Sequence, residues 1–230
     1  FFMLAGEIMN AGGLSRRIVN FAMSLVGHIK GGLGYVAILS ACIMAALSGS
    51  AVADAAALSA LLLPMMVAAG HDKARSAGLL ASASIIAPII PPSIAFVIFG
   101  VAANVSISKL FMAGIVPGLM LGASLWFTWG FLARREQVAV PARKTAAEVA
   151  AAFKDATFAL VMPIIVIVGL KFGVFTPTEA AVVAAVYALF VSTVIYGELK
   201  VSQLYGLFLA AAKTTAVIMF LVAAAMVSAW

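Results

Sequence analysis

Leu47-Ser48-Gly49-Ser50-Ala51-Val52-Ala53-Asp54 decides how this chain folds, because it interrupts a long apolar stretch. From Gly34 to Ala69 the only charged residue is Asp54. Serine and glycine at 48–50 split the run into limbs over 34–47 and 51–67. At 1.5 Å per residue the first limb, about 14 residues, reaches only ~21 Å, short of the ~30 Å hydrocarbon core. Short paired limbs joined by Ser and Gly predict a re-entrant helical hairpin over 34–69, with its tip deep in a bilayer. Irregular backbone survives at that depth only where protein or a water-filled cavity surrounds it. A carboxylate there costs ~2.5–3.5 kcal/mol on insertion scales, so Asp54 requires a partner.

Composition agrees with a membrane setting. Of 230 residues, 65% are hydrophobic and 10% charged, and the mean hydropathy is +1.20. A soluble domain averages about 45–50% apolar and about 25% charged, so this chain has too little polar surface to be one. A nucleic-acid binder and a cytosolic enzyme are excluded on the same ground. Cys42 is the one cysteine and forms no internal disulfide; it reads as a small buried hydrophobe. The chain opens on Phe1-Phe2 and stops at Trp230 within an apolar run, so it reads as a fragment lacking both ends.

Outward from the hairpin, 1–8 reads as the end of a span and 10–33 as a polar, Gly-rich connection. His28 and His71 fall in polar loops and are expected to be solvated. Residues 76–103 carry no charge, but Pro88, Pro91 and Pro92 interrupt them. Proline removes a backbone donor and clashes with the preceding turn, which predicts a broken helix unwound near Ile90–Ser93. A plainer span follows over 110–133, with Gly118 and Gly122 as a packing face. Residues 134–156 form a basic connector whose 145–153 part is amphipathic and suited to the membrane surface. Spans are expected over 157–170, 180–196 and from 204 onward, with Lys213 snorkelling to the interface. Thr176-Pro177-Thr178-Glu179 has the form of a capping box, giving Glu179 a capping role.

The cations set the orientation. With 134–156 in the cytoplasm, the inside loops hold eleven Lys and Arg and the outside loops only Lys109 and Lys171. This fits the positive-inside rule.

The two breaks are where chemistry is expected. At a helix break the last carbonyls and first amides lose their intrahelical partners. The carbonyl ends suit a small cation and the amide ends an anionic group. Ser48 and Ser50 add hydroxyls and Asp54 a full charge, an all-oxygen set of the kind a hard cation takes. The competing reading is structural: Ser50 caps the second limb, Asp54 pairs with Lys171 or Lys213, and the prolines are kinks. No H-E-x-x-H, G-x-S-x-G, P-loop or Cys/His cluster is present, so no catalytic residue and no bound organic cofactor is assigned.

Four stretches taken together resemble one family. They are Gly6-Glu7-Ile8-Met9-Asn10-Ala11-Gly12-Gly13-Leu14, the 47–54 tip, Ala87-Pro88-Ile89-Ile90-Pro91-Pro92-Ser93, and Phe175-Thr176-Pro177-Thr178-Glu179-Ala180. In order and spacing they resemble the large transmembrane subunit of TRAP (tripartite ATP-independent periplasmic) transporters, nearest the 2,3-diketogulonate or sugar-acid branch.

The resemblance implies an all-α, multi-pass protein of the bacterial inner membrane with an inverted-repeat, elevator-type fold. Residues 1–133 would be the first repeat, 134–156 the cytoplasmic connector, and 157–230 the start of a second repeat without its hairpin. Phe2-Met3-Leu4-Ala5 and Phe220-Leu221-Val222-Ala223 are a faint echo of that repeat. It also implies import of an organic acid, a C4-dicarboxylate or a sugar acid, by sodium symport. The implied partners are a small transmembrane subunit, a periplasmic substrate-binding protein and the lipid bilayer. Carried over by residue, Ser48, Gly49, Ser50, Asp54, Pro91, Pro92 and Ser93 would frame a Na+ site, with Ser50 and Ser93 also touching substrate. Two alternatives stay open: proton-coupled transport with Asp54 as carrier, and a non-transporting structural subunit.

Overall fold

The computed structural model describes residues 1–134, 138 and 140–229, and all regular structure among them is helical. The elements are α1 (Phe2–Ala11), α2 (Leu14–Val26), α3 (Gly32–Ser48), α4 (Ala51–Ala68), α5 (Lys73–Ser84), α6 (Ile94–Ala102), α7 (Ile107–Ala133), α8 (Ala146–Lys171), α9 (Pro177–Phe190) and α10 (Val201–Ala229). A π-helical turn, Val191–Ile195, continues α9. Among the described residues five helices are long and apolar enough to cross a membrane: Ala51–Ala68, Ile107–Ala133, Ala146–Lys171, Pro177–Ile195 and Val201–Val227. The protein is a multi-pass membrane protein, and its exterior agrees. Phe127, Phe131 and Val116 are 71%, 74% and 63% exposed, which hydrocarbon tolerates and water does not.

At the centre lies α3, buried along most of its length from Leu33 to Ser48. α1, α2, α4, α5 and α7 all pack against it. Two tight contacts hold α7 there. The Gly34 Cα faces the Trp129 indole so closely that a Cβ would lie 2.0 Å from it, and Trp129 Nε1 donates to the Gly31 carbonyl at 2.8 Å. Farther along, Gly122 meets Cys42 Sγ and Gly118 meets Ile90, so the expected glycine face of α7 is a packing seam.

Several expectations are corrected. Residues 14–26, read as part of a loop, form the amphipathic helix α2, with Leu14, Ile18, Val19 and Ala22 buried along one stripe. Their 3.6-residue period was masked by the intervening Ser, Arg and Asn. The limbs of the hairpin are 17 and 18 residues, about 26 and 27 Å, rather than 14 and 17. Limb length, on which the expectation of re-entrance rested, therefore no longer distinguishes a hairpin from two crossings. α8 is continuous from 146 to 171, where a surface segment and a separate span were expected. The Thr145/Glu148 capping box fixes its start, and nothing between Phe153 and Thr157 breaks a helix. His71 is not solvated: it is 5% exposed, with its ring 5.5 Å from that of Trp129. Nor is His28 fully in water, since its Nδ1 is buried. The basic connector expected over 134–156 includes residues 135–137 and 139, which lie outside the described residues, as does Trp230.

A cluster of charge and aromatic contacts joins α2 to α8 and the segment after the π turn. Arg17 reaches Asp155 at 3.2 Å and Glu198 at 2.8 Å, and its guanidinium lies 3.6 Å from the Tyr196 ring centroid. Tyr196 Oη in turn donates to the Asp155 carbonyl at 2.7 Å.

Candidate functional site

Both breaks form where the sequence placed them. α3 ends at Gly49, whose φ of +59° is left-handed and whose N–H returns to the Ala45 carbonyl. Glycine takes that conformation without a Cβ penalty. Ser50, extended, then caps α4 by accepting the Ala53 N–H at 3.4 Å. On the other side, residues 85–93 leave helical geometry between α5 and α6, so the unwound stretch is longer than the Ile90–Ser93 expected. Ser93 closes it by accepting the Phe96 N–H at 3.2 Å and donating to the Pro88 carbonyl at 2.6 Å.

The two breaks touch. A Cβ on Gly49 would sit 2.3 Å from the Pro92 carbonyl oxygen and 3.3 Å from the Ile94 nitrogen. Backbone polar groups of both breaks thus meet at one point, behind which α7 passes closely. Gly114 faces the Ile89 carbonyl at a distance that excludes a side chain. Gly6 of α1 lies in ordinary contact with Ser48.

Asp54 lies just inside this junction and is fully buried. Its Oδ1 accepts from Ser48 Oγ at 2.6 Å, while its Oδ2 is buried with no hydrogen-bond partner. Ser48 Oγ also accepts the Ser50 N–H at 3.2 Å, so the three residues form one chain of hydrogen bonds. Asp54 makes no ion pair among the described residues; neither Lys171 nor Lys213 reaches it. An anionic oxygen left without a donor in the protein interior is costly. A cation or a proton would relieve that cost.

Of the seven residues expected at the site, Ser48, Gly49, Ser50 and Asp54 are contiguous at the tip, and Pro92 joins them through its carbonyl. Ser93 is buried, with its hydroxyl committed to capping α6. Pro91 belongs to the unwound stretch, with no contact that singles it out. Sequence reasoning missed Gly114, although the Gly114, Gly118, Gly122 period was visible. It also missed a cleft of about 350 Å³ beside the tip, lined by Glu7, Asn10 and Thr214 together with Ser50. Three separate elements supply those side chains, so no local motif announces the cleft.

The sequence is similar to that of known proteins. Residues 1–230 match the family model described as tripartite ATP-independent periplasmic transporter, DctM component. The chain is 60% identical over 230 residues to the 2,3-diketo-L-gulonate TRAP transporter large permease protein YiaN of Escherichia coli (strain K12), covering 100% of this chain and 54% of that protein. It is 40% identical over 229 residues to the C4-dicarboxylate TRAP transporter large permease protein DctM of Pseudomonas aeruginosa, again covering 100% and 54%. With the sialic acid TRAP transporter large permease protein SiaM of Vibrio cholerae the identity is 40% over 230 residues, with the same coverage. The chain spans about half the length of these relatives.

Proposed function

The chain belongs to the DctM component family of tripartite ATP-independent periplasmic transporters, and from that premise we propose that it carries one ion site and part of the substrate site of a sodium-coupled organic-acid importer. The family is one of transporter permeases rather than enzymes. The observation that carries the proposal is the buried, unpartnered Oδ2 of Asp54 beside two facing helix breaks. Sodium, a hard cation, is satisfied by carboxylate, hydroxyl and carbonyl oxygens. Asp54 Oδ2, Ser48 Oγ and the carbonyls of the broken segment around Pro92 supply those types within one small region. Cation binding would neutralise Asp54 and hold the tip of the α3–α4 hairpin against the broken helix. A hairpin tip that meets unwound backbone inside the protein is also what supports re-entrance now that limb length does not.

Ser50 faces the cleft, so it is the tip residue assigned to substrate. The substrate is an organic acid, and the identity to the diketogulonate permease favours a sugar acid over a C4-dicarboxylate. Family membership supports delivery by a periplasmic binding protein, assembly with a small membrane subunit and residence in the inner membrane as parts of this reading. A second reading rests on the same oxygen: Oδ2 can take a proton, and transport would then follow pH. A purely structural subunit is disfavoured, because packing alone gives no reason to bury a carboxylate without an ion pair.

The test uses the full-length permease with its small subunit and binding protein in proteoliposomes. Candidate sugar acids and dicarboxylates are first screened for capture by the binding protein. Uptake of the captured acid should require an inward sodium gradient and persist at a clamped, equal pH. Uptake that ignores sodium and follows a pH gradient would establish the proton reading instead.

A further inference from the structure

A second polar cavity lies far from the hairpin tip in the chain, between α2 and the start of α8. It is a cleft of about 640 Å³ whose walls combine two unlike surfaces. One is apolar and aromatic: Phe21 and Leu25 of α2 face Phe153 of α8, with the two phenyl centroids 5.5 Å apart. The other is cationic, formed by Arg143 and Lys144 just before the α8 N-cap. Among the described residues, no carboxylate lines the cleft.

Among the described residues the two cations are little used internally. Arg143 makes no ion pair among the described residues, and Lys144 only approaches Glu148 at 3.9 Å. Glu148 is itself engaged by the helix cap, since its Oε2 accepts from both the backbone and the hydroxyl of Thr145. His28 lines the same cleft, and its Nδ1 is buried without a hydrogen-bond partner. A ligand with an anionic, hydrogen-bonding head and an apolar body satisfies all three features.

We propose that this cleft binds the headgroup of an anionic phospholipid, with the phosphate on Arg143 and Lys144 and the acyl chains along Phe21, Leu25 and Phe153. Charge complementarity favours this occupant, because anionic lipid concentrates cations of this kind at the cytoplasmic surface. The apolar stripe of α2 is packed inside the protein, which leaves Phe21 and Leu25 as the apolar surface it offers to lipid at the cleft. The inference does not rest on the proposed function; it uses only the orientation drawn from the Lys and Arg distribution, which puts 134–156 in the cytoplasm. α2 and α8 pack on each other and frame the polar turn before α3, so a lipid here would pin the base of the hairpin.

The test uses the full-length transporter in detergent, titrated separately with phosphatidylglycerol, phosphatidylethanolamine and inorganic phosphate. Lipid retention is read by native mass spectrometry and protection by thermal unfolding. Phosphatidylglycerol should be retained and should protect, with the other two doing neither at equal concentration. Arg143→Gln/Lys144→Gln should weaken its apparent affinity about thirty-fold, the loss expected for two surface cations facing anionic lipid. The charge-keeping Arg143→Lys/Lys144→Arg, and Lys109→Gln/Lys171→Gln at the opposite interface, should behave as wild type.

Equal retention by Arg143→Gln/Lys144→Gln and wild type would overturn the proposal, as would equal protection by phosphatidylethanolamine. Protection by inorganic phosphate would also overturn it, and would define a free-anion site instead. Lipid retention is read without transport, so an absence of sodium-driven uptake would sink the functional reading and leave this one standing.

Discussion

At the residue scale the account turns on Gly49 and Ser48 at the hairpin tip, with Gly173 as the contrast that separates their constraints. Gly49 is held by two constraints, a left-handed φ and the Pro92 carbonyl lying where a Cβ would go. Gly173 shares the first constraint, with a φ of +70°, but nothing lies within 4 Å of its would-be Cβ. Gly173→Ala should therefore lose about 1–2 kcal/mol, the left-handed penalty alone. Gly49→Ala should lose distinctly more, because backbone must shift. Thermal or denaturant unfolding of the two variants in the same detergent measures the difference, and equal losses would mean the breaks do not touch as described. Ser48→Ala removes the one hydrogen bond that the Asp54 carboxylate makes among the described residues, and the result should be an altered ion dependence alongside any loss of stability.

Thr176 and Glu179 illustrate the opposite outcome, a motif that is structural. Glu179 Oε2 accepts from the Thr176 N–H at 2.7 Å and its hydroxyl at 2.8 Å, while Thr176 Oγ1 accepts the Glu179 N–H. Thr176→Ala should destabilise by about 1 kcal/mol. Glu179→Gln keeps the box and should leave both stability and uptake close to wild type. A large, selective loss of uptake in Glu179→Gln would show that the residue has a second role.

At the scale of elements, most of the helices could be read from the chain, and the exceptions have physical causes. Breaks were legible because Ser-Gly-Ser and Pro-Pro-Ser remove helix propensity locally, whatever packs around them. The cap before α9 was legible because its four residues act on one another. α2 was not, since polar residues are interleaved with its apolar ones and only their period reveals the helix. The unity of α8 was missed because 134–156 was read as one basic connector, separate from the span over 157–170. Asp155 is instead drawn to Arg17 of α2, a contact across 138 residues that no local reading contains. For the same reason the candidate site was legible on the hairpin and invisible on its neighbours. Gly49 announced itself, whereas the Pro92 carbonyl, Gly114 and the Glu7–Asn10–Thr214 cleft exist only once four helices are in place.

At the scale of the whole molecule, α2, α8 and the segment after the π turn are joined by Arg17, whose side chain is 14% exposed. It bonds two carboxylates and stacks on Tyr196, roles that the planar guanidinium fills and an ammonium does not. Arg17→Lys should lower stability by about 1–2 kcal/mol. Arg16, 58% exposed and bonded to Glu198 alone, should cost less than about 1 kcal/mol when changed to Gln. Unfolding at low and high salt tests this: the Arg16 effect should fade with salt and the Arg17 effect should largely remain. If the two variants proved equivalent, the cluster would be a surface feature and not a joint between helices.

The helices around that joint hold α3 and the hairpin tip in place, and the central claim is that the tip binds the coupling ion through Asp54. Its most direct test is the sodium-activation curve of uptake by the complete transporter, wild type against Asp54→Asn. Asparagine keeps the volume and can still accept from Ser48, so assembly should survive. The account predicts that Asp54→Asn assembles normally and either loses uptake or requires far more sodium, by tenfold or more, for half-maximal rate. An Asp54→Asn curve that overlays the wild type would contradict it.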